Sequence, residues 1–404
     1  MKILNLKLHW QILIGMLLGF IYGILIPEHV KYIEWTGVIF LRLLKMVVVP
    51  LVLTSLISGV SNINTGNKLR QLSIKTIIYY LGTSLLAILT GLFFVNLFKP
   101  GIGNPIDLPS SANLNISTVS VSQTLFDIIP ENIFQSILQA DMLSIIFISI
   151  LIGFFITLLP ENPKGILSSF FSSAFELMMK ITVFIIRLAP VGILGIIARV
   201  IAEQSNLFAL AINLLHFVFT FFAGLSVHFF ISLPIILYFF FKINPIKHIK
   251  AMLVPLLMAF STASSNATLP VTIEHVEIKS GVSNKITGFT LPLGATINMD
   301  GTALYELVVA VFVAQLYGIE LSFTQQFIIV YTALLASIGT AGIPMASYAA
   351  MTIIFTAVGL PLEAVALILP IDRPLDMCRT ATNVWSDTCG AVIIAKTEGE
   401  KINY

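Results

Sequence analysis

The sequence is poor in charge. Of its 404 residues, 10% are Asp, Glu, Lys or Arg, where a soluble domain carries about 25%, and 57% are hydrophobic. Lipid, not water, is the solvent this implies. Cysteine is also scarce, with Cys378 and Cys389 alone. On one helix at 1.5 Å per residue they stand about 16 Å apart, too far to bridge. Together with six scattered histidines they offer no cluster at zinc-like spacing, and no organic cofactor motif is visible. A formal charge of +2 on dispersed basic residues argues against a nucleic-acid partner.

What is present is apolar length. The runs Trp10 to Pro27, Leu51 to Val60, Ile77 to Phe98 and Leu214 to Phe241 approach or exceed the roughly 20 residues a helix needs to cross hydrocarbon. The first run follows Lys2 and Lys7 and lacks a small-residue cleavage site, so it reads as a retained helix. Basic residues gather at Lys68 to Lys75, Lys164, Lys242 to Lys250, Lys279, Lys285 and Lys396 to Lys401, which marks cytoplasmic ends. The stretches Gly101 to Phe134 and Ile286 to Asp372 contain no Lys or Arg, and their loops read as external.

That sidedness gives two segments an unusual course. Ala251 to Val271 has lysines on both flanks, and its middle is Ser261-Thr-Ala-Ser-Ser-Asn-Ala-Thr-Leu-Pro270, fit for the tip of a hairpin that enters and turns back. Gln326 to Val358 lies between two external loops and is broken by Ser337-Ile-Gly-Thr-Ala-Gly-Ile-Pro344. Irregular backbone at membrane depth survives only beside protein or a watery cavity, and two interruptions in opposed halves point to a transporter binding site. The competing reading is Gly/Pro kinks in ordinary spanning helices. The expected helices cover 8–27, 33–60, 73–98, 135–160, 165–202 and 206–242, followed by hairpin 1 (251–278), helix 7 (284–316), hairpin 2 (325–358) and helix 8 (362–396). The helix at 165–202 carries Lys180, Arg187 and Arg199, read as snorkelling or inter-subunit contacts.

Chemistry concentrates in the last helix. At 100° per residue, Asp372, Asp376, Arg379, Asn383 and Asp387 fall at about 0°, 40°, −20°, 20° and 60°, a single narrow face. Ionisable groups at membrane depth cost at least about 2.5 kcal/mol each and mark ion or substrate paths. A structural ion pair between Asp376 and Arg379 is the plainer alternative, and both can hold in the empty protein. Arg379 offers a planar fork for a carboxylate, Asp376 accepts from an ammonium, and Asn383 donates to a second carboxylate. Aspartate or glutamate matches that set. The preceding helix contains Gly294-Ala-Thr-Ile-Asn-Met-Asp-Gly-Thr302, which suggests local unwinding and, through Thr296, Asn298, Asp300 and Asp387, hard oxygens for an alkali cation such as sodium. An ion-free kink held by Asn and Asp is the alternative. Tyr80, Thr83 and Ser84 could supply further oxygens.

These four marks, Ser264 to Pro270, Asn298 to Thr302, Ser337 to Pro344 and Asp376 to Asp387, in this order, resemble the dicarboxylate/amino acid:cation symporter family over nearly the whole chain. The resemblance implies an all-α integral membrane protein with eight transmembrane helices and two opposed re-entrant helical hairpins. It also implies a homotrimer in which each subunit moves its hairpins and last helices as an elevator, with both termini cytoplasmic. The domains expected are scaffold helices 1–2 (1–72), helix 3 and an external loop (73–134), scaffold helices 4–5 (135–202), and helix 6 with the transport core (203–404).

Carried over by position, Arg379 would hold the substrate side-chain carboxylate, Asp376 the amino group and Asn383 the main-chain carboxylate. Thr302, Thr380, Ser264, Ser265, Ile343 and Ser347 would complete the pocket, with hairpin 2 as outer gate. Sodium would sit at Gly294, Asn298, Asn383 and Asp387, at Thr296, Ser337, Ile338 and Thr340, and at Tyr80, Thr83, Ser84, Asn298 and Asp300. Three departures stand out. Ala263 occupies a place where archaeal members have arginine, a charge that Arg373 could replace. Met345-Ala346-Ser347 is bulkier than a glycine-rich tip. Glu306 matches a glutamate associated with proton cotransport in eukaryotic members, although a structural glutamate is an equal reading.

The expected function is sodium-coupled uptake of acidic amino acids, with proton coupling open and a proton- or sodium-coupled C4-dicarboxylate transporter as runner-up. Asp376 would face such a nitrogen-free ligand uncompensated. An intramembrane hydrolase using Ser265 lacks a histidine or lysine in the hairpin motif to act as base. A passive channel is disfavoured by two opposed gates.

Overall fold

A computed structural model describes residues 8–61, 67–103, 129–139, 142–203, 207–339 and 347–404. The described residues are helical throughout their regular structure. Helix α1 (Leu8–Leu25) leads through a 3-10 turn into α2 (Glu34–Ser61), followed by α3 (Asn67–Phe98), α4 (Ile133–Gln139) and α5 (Met142–Thr157). Four helices among the described residues are long and apolar enough to cross a membrane: Gln71–Phe98, Glu161–Ile185, Phe208–Phe240 and Asn284–Leu316.

The single helix expected over 165–202 is two. α6 (Glu161–Arg187) stops and α7 (Ala189–Glu203) begins after Leu188. Pro190 explains the break, because its ring removes an N–H donor and clashes with the carbonyl one turn earlier, so it is tolerated only in a first turn. The break frees α7 to pack along α1. Gly15, Gly19 and Gly23 line that seam, and a Cβ on any of them would collide with the carbonyl oxygens of Pro190, Leu194 or Ala198. Such four-residue spacing of glycine lets helix backbones approach in lipid, where packing replaces the hydrophobic effect. The helix expected over 135–160 is described as α4 and α5, on either side of residues 140–141, which lie outside the described residues. Among the charges left open on this stretch, Lys180 pairs with Glu176 at 3.6 Å on an exposed face, and Arg199 lies 3.7 Å from Glu34.

After α8 (Leu207–Val227) the helix continues to Phe240 through two π-helical stretches, His228–Ser232 and Ile236–Phe240. The short α9 (Pro245–Ala251) starts at a proline and is capped by Asn244, whose side chain accepts from Lys247 N. α10 (Leu253–Thr262) and α11 (Ser265–Ser280) form a helical hairpin packed arm on arm. At its tip Ala263 adopts a left-handed φ of 50°, and Ser264 is extended and caps α11 by accepting from Ala267 N at 3.2 Å. A second pair, α14 (Phe323–Gly339) and α15 (Ser347–Val358), also packs together. Its expected tip, with Ile343, Thr340, Met345 and Ala346, lies outside the described residues.

Between the two pairs runs the broken helix. α12 (Asn284–Ile297) ends at Asn298, and α13 (Asp300–Leu316) restarts after Met299, with φ/ψ of −95°/82° and −111°/52° at the two junction residues. α13 is the centre of the molecule, buried from Asp300 to Ala314 and packed on α3, α8, α14 and α16 (Val365–Thr397). α6 is the opposite case. Its apolar surface, including Ile166, Phe170, Leu177 and Phe184, is largely uncovered by the rest of the chain.

The tail after α16 is tied down. Glu398 pairs with Lys75 of α3 at 2.6 Å, Glu400 accepts from Ser283 N at 3.0 Å, and Asn403 N donates to Ser280 O at 3.0 Å. The Tyr404 hydroxyl meets both His248 Nδ1 and Ser280 Oγ. Burial pushes its pKa up to about 12.

Candidate functional site

α16 carries its charged face into the interior. Arg379 is fully buried, and its Nη2 lies 2.9 Å from Asp376 Oδ1 and 3.1 Å from Asp372 Oδ1. The guanidinium stacks on Tyr305 of α13, 3.9 Å from the ring centroid. Asp372 is itself fixed from two further elements, since it accepts from Tyr305 at 2.7 Å and from Tyr348 of α15 at 2.8 Å. Arg379 is thereby held in one place. Yet its Nε and Nη1 have no hydrogen-bond partner among the described residues. Two idle donor nitrogens on a buried guanidinium leave it the capacity to bind a further anionic acceptor such as a carboxylate.

Asp376 is engaged by two arginines, since its Oδ2 also lies 3.5 Å from Arg373 Nη1. Arg373 reaches on to the first hairpin, with Nη2 3.5 Å from Thr262 O. The positive charge thus stands at the hairpin tip beside Ala263, delivered from α16. Ser265 is buried at the first turn of α11, and the side chain of Ser264 is used as its cap. The hydroxyl of Thr380 donates to Asp376 O at 2.8 Å. Ser347 Oγ is buried without a partner among the described residues, and so are both carboxyl oxygens of Glu306.

Asn383 links the last helix to the break in α12–α13. Its Oδ1 accepts from Gly301 N at 2.8 Å, and its Nδ2 donates to Thr302 Oγ1 at 3.1 Å and faces Met299 Sδ at 3.2 Å. The backbone must come close for this: a Cβ on Gly301 would lie 2.7 Å from Arg379 O. One turn along, Asn298 Nδ2 donates to Asp387 Oδ1 at 2.8 Å, and a Cβ on Gly294 would lie 2.5 Å from that oxygen and 2.8 Å from Tyr80 Oη. Thr83 donates to Asn298 Oδ1 at 3.3 Å, and Ser84 donates to Asp300 Oδ1 at 2.6 Å. Two of the three expected oxygen sets therefore meet in one buried, hard-oxygen region. Among the described residues no cluster of His, Cys, Asp and Glu suits a transition metal.

The described hydroxyls of the third set, those of Thr296 and Ser337, bond back to their own helices. The Thr296 hydroxyl bonds back to Leu293 O at 2.9 Å on an exposed face, and that of Ser337 to Leu334 O at 2.8 Å. α12 and α14 pack together, and Thr340 lies outside the described residues. Sequence reasoning also passed over three participants. Tyr305 and Tyr348 anchor Asp372, and fully buried His228 places Nε2 3.0 Å from Asp300 Oδ2. Tyr305 could have been found from its place beside Glu306 in the broken helix. His228 had no such signal.

The model of the Sodium:dicarboxylate symporter family matches residues 8–397. The chain is 35% identical to the proton/sodium-glutamate symport protein of Bacillus caldotenax, across 98% of this chain and 96% of that protein. It is 36% identical to the proton/glutamate-aspartate symporter of Escherichia coli (strain K12), across 98% and 94%. It is 32% identical to excitatory amino acid transporter 3 of Oryctolagus cuniculus, across 98% and 87%. A buried guanidinium with free donors, a broken helix of hard oxygens and this full-length similarity converge: the chain is a multi-pass membrane transporter belonging to the sodium:dicarboxylate symporter family.

Proposed function

We propose that this protein is a secondary active symporter that takes up glutamate or aspartate with sodium, and that Arg379 selects the acidic side chain. The observation that carries the reading is the pair of unpartnered donors, Nε and Nη1, on a guanidinium already fixed by Asp372, Asp376 and the Tyr305 ring. A second carboxylate would bind near Asn383 and Thr302, and the ammonium at Asp376. Ser265 and Thr380 would line the pocket, and the segment Ile343 to Ser347 would close over it. Leaving Arg379 unsatisfied costs several kcal/mol, so a neutral amino acid would bind poorly.

Sodium is cargo and counter-charge together. Its ligands in this reading are Gly294, Asn298, Asn383 and Asp387 at one position and Tyr80, Thr83, Ser84, Asn298 and Asp300 at another. Thr296, Ser337, Ile338 and Thr340 complete a third. Glu306, buried with both oxygens free, is the candidate proton carrier. Membrane potential contributes about 2.3 kcal/mol per net charge per 100 mV, so net inward positive charge drives accumulation. In this reading eight helices span the bilayer and two hairpins are re-entrant. Three copies assemble around their scaffold helices, the core moves as an elevator, and both termini are cytoplasmic.

Uptake by purified protein in vesicles tests the proposal. Radiolabelled aspartate or glutamate should accumulate only with an external sodium gradient. Arg379→Ala should abolish acidic-substrate binding while sodium still stabilises the protein. Normal aspartate uptake by Arg379→Ala would refute the role given to this residue, and strong competition by succinate would favour the dicarboxylate reading.

A further inference from the structure

The oxygen set around Asp300 has a neighbour that the transport reading leaves unused. His228 opens the π-helical stretch His228–Ser232, and its ring is fully buried. A π turn inserts an extra residue into the helical register and re-aims the side chains around it, at a cost in helix geometry that recurs mostly at functional sites. Here the re-aimed ring meets α13, with Nε2 3.0 Å from Asp300 Oδ2. A carboxylate oxygen accepts, so Nε2–H is the donor in this contact. Nδ1 has no partner among the described residues.

Asp300 is therefore gripped from both sides. Ser84 of α3 donates to Oδ1 at 2.6 Å and His228 donates to Oδ2 at 3.0 Å. Each carboxylate oxygen accepts through two lone pairs, so one bond apiece fixes the rotation of the group and leaves one lone pair on each oxygen free. Thr83 and Asn298 stand on the same side of the break, joined at 3.3 Å. An acid tethered by two donors beside further neutral oxygens is a prearranged cation ligand. The two donors remain in place when a cation arrives.

The geometry points to His228 as a positioning residue for cation binding at Asp300: the imidazole N–H sets the carboxylate's rotation and so the sodium affinity of the Tyr80, Thr83, Ser84, Asn298 and Asp300 set. This inference rests on reading Asp300 as a sodium ligand. It follows the general behaviour of outer hydrogen bonds around metal sites, whose loss weakens metal affinity about 10- to 100-fold. A ring that only filled space would be replaceable by an apolar side chain of similar size. A positioning ring is replaceable only by another donor.

The test is a sodium titration of the purified full-length protein in detergent, without amino acid, followed by thermal shift. His228→Leu keeps volume and loses the donor; His228→Gln keeps an N–H within reach. The sodium concentration at half-effect should rise about 10- to 100-fold in His228→Leu and stay near that of the unaltered protein in His228→Gln. At saturating sodium both variants should bind aspartate as the unaltered protein does. An unchanged midpoint in His228→Leu overturns the inference. So does an equal shift in both variants, or a loss of aspartate affinity at saturating sodium as large as the loss of sodium affinity. If His228→Leu does not fold, His228→Asn, whose shorter amide cannot span to Asp300, takes its place under the same criteria. Should the unaltered protein show no response to sodium, the symport reading falls together with this one. A sodium response that is indifferent to His228 removes only the latter.

Discussion

Gly294 shows how little room the site leaves. A methyl group there would lie 2.5 Å from Asp387 Oδ1 and 2.8 Å from Tyr80 Oη, and Tyr80 is held in place by donating to Thr290 O at 2.8 Å. Neither neighbour can retreat without breaking a buried hydrogen bond. Gly294→Ala should therefore destabilise the protein by about 1–3 kcal/mol, the usual cost of overpacking, and weaken sodium binding as well. Gly288, two turns earlier in α12, is the control, because its nearest obstacle, Asn284 Oδ1, is 4.0 Å away. Gly288→Ala should raise stability by about 0.5–1 kcal/mol through helix propensity alone. Thermal unfolding of the two variants with and without sodium checks both signs, and equal behaviour would deny Gly294 a special place. This contrast was partly legible in the sequence. Gly294 could be singled out because it opens a polar run inside an apolar helix, but the oxygens it approaches come from α3 and α16, 214 and 93 residues away. Distances of that kind are set by packing, not by local pattern. The Arg379 fork could be read because its partners lie at helical spacing on one element, whereas the tyrosines that hold Asp372 arrive from α13 and α15.

At the scale of elements, residues that interrupt helices carried the most information, and they were read unevenly. The hairpin tip at Ser264 and the break at Asn298 were legible because small polar residues in an apolar run have few other uses, but Ser264 was read as a pocket residue and its side chain serves as a cap. Pro190 carried an equally clear message, and continuing one helix through it to residue 202 ignored the missing N–H. The π stretches that continue α8 were not legible, since an inserted residue leaves the apolar pattern almost unchanged. The C-terminal strap is the element whose role is easiest to test. Tyr404 bridges His248 of α9 and Ser280 at the end of α11, so it joins the base of the first hairpin to the preceding segment. Burial lowers the pKa of His248 to about 3 from an ordinary 6.5. A proton is thus bound more readily when the strap is loose, and docking is fully favourable above about pH 6.5 and weakens as pH falls from there toward 3. Tyr404→Phe removes a hydroxyl shared by two partners, at a net cost of about 0.5–1.5 kcal/mol, or about 2- to 10-fold in local opening. Hydrogen exchange at residues 279–286 should be faster by that factor in Tyr404→Phe at pH 8. In the unaltered protein, opening corrected for intrinsic exchange should increase at pH 5. Exchange that ignores both changes would mean the strap bears no load.

Among the described residues α6 is the long apolar helix that the rest of the chain covers least. α6 is apolar along Ile166, Phe170, Leu177 and Phe184, exposes nearly all of that surface, and yet carries Glu176, Lys180 and Arg187 in the same span. Charges on a lipid-facing helix cost at least about 2.5 kcal/mol each near the bilayer centre, while apolar residues on a water-facing helix waste their burial. Both demands are met if the apolar stripe packs on other copies of the chain and the charges face a hydrated space between them. The proposed trimer would put this helix, as one of its scaffold helices, in that position. Light scattering of the detergent-solubilised protein should therefore give a protein mass of about three times 44.3 kDa. A single reporter cysteine introduced as Leu177→Cys, in a background with Cys378→Ser and Cys389→Ser, should form a disulfide between subunits on mild oxidation. The same reporter placed as Phe239→Cys, exposed in the π-helical stretch that follows α8, should stay monomeric on a denaturing gel. Cross-linking at both positions would indicate random collision. A monomeric mass with no cross-link at either would leave α6 facing lipid with its charges unaccounted for, and the scaffold assignment would have to be abandoned.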